Sequence, residues 1–182
     1  MRLETERLLL RPLTLDDLDD MARFLSDPET MRFIGVGGTR TRAQAQATLE
    51  WMIETLEQQG FGHLAAERKD DGVLVGRSGL NVWNPTNWTI TRLDEAQGPV
   101  EIEIAYLFGR QHWGHGYATE AASAIRDWAF ANLDLERLIA LIYPENVRSI
   151  RVAEKLGMQP AGDADLAGNQ LVVYELGKTP AR

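Results

Sequence analysis

Glu101 and Glu103 stand two residues apart in VEIEIAYLF, a run whose alternation predicts a β-strand. Residues two apart on a strand share a face, so both carboxylates project to one side while Ile102, Ile104 and Tyr106 project to the other. A carboxylate on the face of an interior strand is costly unless that face opens on a cleft or on water. Two carboxylates held close together cannot both ionise freely; the pKa of one rises, which suits it to take a proton. General-base chemistry by Glu103 or Glu101 is therefore one expectation, and a pair of solvated surface charges is the other.

Just downstream, GRQHWGHGYATEA, Gly109 to Ala121, sets three glycines and two histidines before a good helix sequence. The first backbone N–H groups of a helix lack intrahelical partners, and the helix dipole adds partial positive charge there. Glycine lets such a backbone approach a ligand closely. Gln111-x-x-Gly114-x-Gly116 is thus placed either to cradle a phosphate or to form a loose surface turn. It lacks the Lys-Ser/Thr ending of a P-loop and the later acidic residue of a dinucleotide site. No metal is expected: there is no cysteine, His63 stands alone, and His112 and His115 have no third partner nearby.

The elements that must position these residues follow from periodicity. TERLLLRPLT predicts a first strand, and Thr14 with Asp17 a capping-box-like start to a helix with Leu18, Met21, Ala22 and Leu25 on one face. Thr41 and Gln44 open a second helix that Gly60 closes. FGHLAAER and VLVGRSGL predict a hairpin turning at KDDG. A third helix follows from about Tyr117 to Asn132, then RLIALIY as a buried strand, NVRSIRVAEKLG as a short helix and QLVVYEL as a last strand. Residues 81–99 lack periodicity, which suits either a functional segment or a packed excursion with buried tryptophans. This is a mixed α/β chain with one sheet covered by helices.

The chain has 182 residues, 44% hydrophobic and 25% charged, with no linker, repeat or low-complexity tract, and reads as one domain over residues 1–182. No apolar run reaches bilayer length and the amino-terminal run is too short and charged for a signal peptide, so no membrane role and a cytoplasmic location are expected. The net charge of −8 argues against a nucleic-acid partner and is compatible with a cationic one such as an amine.

Gln-x-x-Gly-x-Gly-Tyr-Ala-Thr-Glu-Ala resembles the acyl-CoA pyrophosphate loop of the GNAT superfamily of N-acyltransferases. NVRSIRVAEKLGM looks like that superfamily's Asn-x-x-Ser…Lys-Leu-Gly-Phe segment, with Met158 in the Phe place. ETERLLLRPLTLDD resembles the first strand and helix of the Rim-type branch, which acetylates protein N-termini and related amines. EIAYLF is similar to the branch's Glu-Ile-Gly-Tyr-Trp-Leu strand, with Ala105 replacing Gly. Four motifs in order, over most of the chain, carry the resemblance.

The resemblance implies a single central, mostly antiparallel sheet, splayed at the CoA site and flanked by about four helices. It implies acetyl-CoA as co-substrate and direct transfer to a primary amine, a peptide N-terminus or a small molecule. Acyl-CoA would enter beside Tyr106, Leu107 and Phe108, with backbone amides from Gln111 through His112, Trp113, Gly114, His115 and Gly116 to Tyr117 and Ala118 receiving the pyrophosphate. Arg110 would add a cation, and His112 and His115 would point outward. Glu103 matches the branch's acidic strand residue, Asn146 its pantetheine-contacting amide, and Ser149 or Tyr143 its proton donor. Backbone N–H groups near Tyr106 or Leu107 would hold the developing oxyanion. Trp83, Trp88, Phe33, Glu95 and the segment 81–99 would form the acceptor side, and a homodimer is an assembly to test. The rival readings are a non-catalytic acyl-CoA-binding or sensing module and a dinucleotide-binding enzyme.

Overall fold

The computed structural model describes residues 1–178. Its strands are β1 (Leu3–Glu4), β2 (Leu8–Pro12), β3 (His63–Arg68), β4 (Leu74–Asn84), β5 (Thr89–Thr91), β6 (Glu101–Phe108), β7 (Arg137–Ile142), β8 (Gln159–Leu166) and β9 (Asn169–Gly177). Its α-helices are α1 (Leu18–Ser26), α2 (Pro28–Met31), α3 (Arg42–Gln59), α4 (Tyr117–Asn132) and α5 (Val147–Lys155). The strands form one sheet in the order β1-β2-β3-β4-β6-β7-β9-β8, with β5 pairing β4 beside it. Every pairing is antiparallel except β6–β7, which is parallel and bridges at Glu103–Ile139 alone. The mixed α/β architecture with a mostly antiparallel, splayed sheet is as expected.

The predicted caps form. The Asp17 carboxylate accepts from the Thr14 N–H at 2.8 Å, and Thr41 and Gln44 cap α3 reciprocally, with Gly60 at its end. A fifth helix, the single turn α2, arises because Pro28 presets its first position and Asp27 accepts from the Glu29 N–H. β8 was not legible in QPAGDADL: it is an edge strand, largely exposed, so it carries no buried alternation to read. The hairpin at KDDG and the burial of β7 on both faces match expectation.

One sheet face receives α4 through Ala121, Ile125 and Ala129, spaced at four residues and fully buried. Alanine at two of these three positions lets the helix lie close to the sheet, and Ile125 contributes about 1.5–3 kcal/mol by burial. The other face receives α1 and α3 through Met21, Phe24, Leu25, Leu49 and Met52. A third, small cluster of Ile139, Ala164 and Val173 packs Trp88 against the sheet's far end. Gly79 matters at the centre: a Cβ there would stand 2.1 Å from the Gly62 carbonyl oxygen, so only glycine lets the chain entering β3 press onto β4.

Candidate active site

Beyond the Glu103–Ile139 bridge the β6–β7 ladder stops, and the strands part. Glu103 sits at this fork, 7% exposed. Its Oε1 accepts from the Leu141 N–H at 3.2 Å, taking the place that a continued ladder would give to β6 backbone. Its Oε2 accepts from Asn81 Nδ2 at 2.8 Å and from Trp83 Nε1 at 2.7 Å. A carboxylate offers about four lone-pair sites, so Oε1 keeps one after these three donors. Burial raises the Glu103 pKa, and the hydrogen bonds from Asn81, Trp83 and Leu141 oppose that rise without cancelling it.

Glu103 lines a cavity of about 600 Å³ walled by Met31, Phe33, Trp51, Trp83 and Leu171 among others. Two residues on this wall escaped the sequence reading, His63 and Arg77. Asn81 fixes their arrangement: its Nδ2 donates to Glu103, so its Oδ1 must accept from His63 Nε2, 2.9 Å away. His63 Nδ1 then accepts from Arg77 Nη1 at 2.8 Å. Burial, with Arg77 nearby, pushes the His63 pKa well below its ordinary value, in keeping with a neutral ring. The chain Arg77–His63–Asn81–Glu103 thus runs along β4, β3 and β6. The signal was period-two spacing: Arg77, Asn81 and Trp83 share a face of β4.

A second cavity, a groove of about 400 Å³, lies on the other side of the fork. Its floor includes Tyr106, Leu107, Phe108, Gly114, Gly116, Tyr117 and Ala118. Gly116, at φ 83°, is the N-cap of α4 and no side chain caps that end. Among the described residues the amides of 114–119 donate to no protein acceptor. Arg148, Arg151 and Lys155 of α5 line the same groove, with Arg148 stacked on Trp113 at 4.4 Å. Their spacing of three and four residues puts all three on one helix face. Unsatisfied amides, a helix N-terminus and three cations fit a polyphosphate such as the pyrophosphate of CoA.

The two cavities share Phe33, Ile34, Tyr106, Asn146 and Ser149. Asn146 caps α5 by accepting from the Ser149 N–H, and its Nδ2 donates to Ser149 Oγ at 2.9 Å. That leaves the Ser149 O–H free to donate elsewhere. Ser78 Oγ donates to the Ala105 carbonyl on the β4 side, so by strand alternation the Tyr106 N–H faces the fork.

Several expectations are corrected. Glu101 does not line the cavity and does not cause the Glu103 shift; its carboxylate is ion-paired with Arg137 at 2.5 Å. Tyr143 lines the cavity, but its O–H donates to the Gly35 carbonyl at 2.8 Å, latching the loop before α3. Arg110 and Gln111 turn away from the groove to a hollow beside Asp27, and α5 supplies the cations instead. His112 borders the groove, but the charges that act on its ring are those of Arg68, His115, Asp71 and Arg23, none of which lines it; His115 is exposed and stacks on Tyr117. On the acceptor side Asn81, Trp83, Ile90 and Phe33 line the cavity; Trp88 supports Trp83 edge-on, and Glu95 pairs with Arg92 on the surface.

The loop is braced from behind. Arg7 Nη1 donates to the His115 carbonyl at 2.9 Å, its Nη2 pairs with Glu120 at 2.6 Å, and Thr5 Oγ1 donates to Glu120 at 2.5 Å. Replacing Arg7 with alanine releases the carbonyl, a loss of about 0.5–1.5 kcal/mol. On the expectation that the loop receives the CoA pyrophosphate, the result is a KM for acetyl-CoA raised about 2- to 10-fold with kcat little changed, read from initial rates.

Residues 7–159 match the family model described as an acetyltransferase (GNAT) domain. The chain is 32% identical over 161 residues to the uncharacterized N-acetyltransferase p20 of Bacillus licheniformis, covering 88% of this chain and 83% of that one. An acetyltransferase structure from Agrobacterium tumefaciens superposes with a TM-score of 0.77 at 31% identity, covering 98% of this chain and 95% of that one. The aminoglycoside acetyltransferase AAC(6')-Ib, solved in complex with coenzyme A, has the same fold, with a TM-score of 0.71, 20% identity and coverage of 93% and 94%. The splayed sheet and the glycine loop at the head of α4 are therefore not a chance likeness, and the chain belongs to the GNAT family of acetyltransferases.

Proposed function

We propose that this acetyltransferase uses acetyl-CoA to acetylate a primary amine by direct transfer. The observation that carries the reading is the junction of the two cavities at Tyr106, Asn146 and Ser149. On one side lie unsatisfied amides and cations suited to CoA phosphates; on the other lies a buried carboxylate suited to an amine. AAC(6')-Ib, of the same fold, is seen with coenzyme A, which supports the choice of donor.

Acetyl-CoA, when bound, supplies the acetyl group as a thioester. The amides of 114–119 with Arg148, Arg151 and Lys155 hold the phosphates. Glu103 takes the ammonium proton at Oε1, which matters because an α-amine is neutral in only about one molecule in ten at pH 7. The Tyr106 N–H donates to the carbonyl oxygen as charge gathers there. Ser149, oriented by Asn146, hydrogen-bonds the departing sulfur and relays to it the second proton that the nitrogen loses as the amide forms, so that the hydroxyl is restored. The free lone pair on Glu103 favours this enzyme over a non-catalytic CoA-binding module, which has no use for a base at the fork.

The residues shared with the Rim-type branch, Glu4 to Asp17, support a peptide N-terminus as acceptor, and a cavity of about 600 Å³ suits a small amine equally. The test is thiol release from acetyl-CoA across N-terminal peptides, polyamines, amino sugars and amino acids, with products checked by mass. Acetylation of one class at saturable rates is expected. Tight acetyl-CoA binding with no product in any class would instead favour the binding module.

A further inference from the structure

The cavity holds a buried guanidinium that makes no ion pair among the described residues; the Glu103 charge acts on it from a distance without touching it. Arg77 is 7% exposed and lines the cavity. Its guanidinium has five N–H donors, of which Nη1 alone meets an acceptor, His63 Nδ1 at 2.8 Å. Its Nε is buried with no partner, and among the described residues no carboxylate lies within ion-pairing reach. Glu103, the carboxylate on the same wall, has Asn81, Trp83 and Leu141 as its donors, and its hydrogen-bonded link to Arg77 passes through a neutral histidine. Burial lowers the Arg77 pKa to about 10, so it remains charged at neutral pH. A second cation, Arg40, lines the same cavity with its Nη1 on the Gly38 carbonyl and, among the described residues, no ion pair.

We infer that the acceptor is a primary amine carrying a carboxylate a few bonds from its nitrogen, on an apolar body, with Arg77 binding the carboxylate. This rests on the acetyl-transfer reading and names its substrate class. A planar guanidinium fork with its Nη2 donors unengaged among the described residues matches a carboxylate. Phe33, Trp51, Trp83 and Leu171 account for the apolar body. The register also fits. Arg77 pairs with Leu107 and Gly79 with Ala105, so Arg77 lies diagonal to Ala105, about 7–8 Å across the strands. A carboxylate held by Arg77 therefore leaves an amine a few bonds away facing Ala105 and Glu103, next to Tyr106, which both cavities share. A peptide N-terminus has a neutral amide in place of that carboxylate and offers the Arg77 fork no carboxylate to bind.

The test compares leucine, methionine and phenylalanine with their primary amides as acceptors for the whole enzyme with acetyl-CoA. The amides hold the less basic amine, which is more often neutral, so intrinsic reactivity favours them. The expected result is the reverse: kcat/KM about tenfold or more higher for at least one free acid than for its amide. Arg77→Met brings that ratio to about one and Arg77→Lys restores part of it, with folding checked by thermal unfolding and by acetyl-CoA binding. A readout independent of turnover is calorimetric binding of the N-acetylated acids against N-acetylated amides, expected to favour the acids in wild type alone. If Arg77→Met does not fold, the wild-type acid-to-amide ratios decide by themselves. Acetylation with equal rates and equal binding for every acid and amide overturns the carboxylate assignment and leaves acetyl transfer standing. Selective binding of the acids with no transfer to any amine supports the carboxylate site and overturns the transfer reading. Neither selective binding nor transfer overturns both.

Discussion

Replacing Glu103 with glutamine is expected to lower kcat by about 10²- to 10⁴-fold, the usual worth of a positioned general base. Acetyl-CoA affinity should be unchanged, because Glu103 lines the acceptor cavity and not the CoA groove. Glutamine is also a poor structural replacement. Whichever way its amide is turned, the NH₂ group meets a donor: Asn81 Nδ2 and Trp83 Nε1 on one side, or the Leu141 N–H on the other. The cost of such a mismatch is about 1–3 kcal/mol, so stability must be measured beside rate. The pH dependence separates the two roles. A carboxylate whose folded pKa is raised destabilises the fold once ionised, so its contribution to stability is fully present below its unfolded pKa and lost as pH rises through the folded value. Catalysis by the same group runs the other way, since the base works only when ionised. As pH falls through the raised Glu103 pKa, wild type should therefore gain melting temperature relative to Glu103→Gln while losing kcat/KM. Asp17 and Glu120, whose pKa values are lowered, lose their stabilising effect as pH falls from the ordinary carboxylate range through their folded values, whereas the Glu103 window lies above that range. Turnover unchanged in Glu103→Gln would remove the base from this position.

What was legible in the sequence was local. Thr14 with Asp17, Thr41 with Gln44, the alternation in EIEIAYLF and the glycines before α4 each state their structure within a few residues, and the structure agrees. What was not legible depends on pairing across distance. His63 looked isolated because its partners, Arg77 and Asn81, reach it only when β3 pairs with β4. Tyr143 stood as a proton-donor candidate because the carbonyl that accepts its hydrogen bond is 108 positions away. Glu101 and Glu103 read as a pair from their spacing, but Arg137 on the neighbouring strand claims one of them and leaves the other to the fork. The α5 cations are a different case: Arg148, Arg151 and Lys155 follow helical spacing in plain view, and Arg110 drew attention only because it adjoins the loop.

The second large effect concerns donor binding, and Gly116→Val isolates it. Gly116 has φ 83°, in the left-handed region that a β-branched side chain avoids most strongly, at a cost of about 1–3 kcal/mol. A Cβ there would stand 3.4 Å from Arg7 Nη2, an ordinary contact, so the strain comes from the dihedral. Relieving that φ turns the backbone, and the amides at the head of α4 turn with it. Each hydrogen bond from such an amide to a phosphate oxygen is worth about 1.5–3 kcal/mol, so losing even one should raise the acetyl-CoA KM by about 10- to 100-fold. Because these contacts hold the donor equally before and during transfer, kcat at saturating acetyl-CoA should stay close to wild type. Melting temperature should fall by about 2–10 °C from the strain alone. Gly114→Ala is the informative contrast: Gly114 has φ 80° and open space around its missing Cβ, so alanine there brings strain without β-branching and without a contact to Arg7. If both variants lose stability while neither changes the acetyl-CoA KM, the glycines serve only the turn and the phosphates lie elsewhere. If Gly116→Val weakens acetyl-CoA far more than Gly114→Ala at equal loss of stability, it is the aim of the α4 amides, held by Arg7 from behind, that binds the donor.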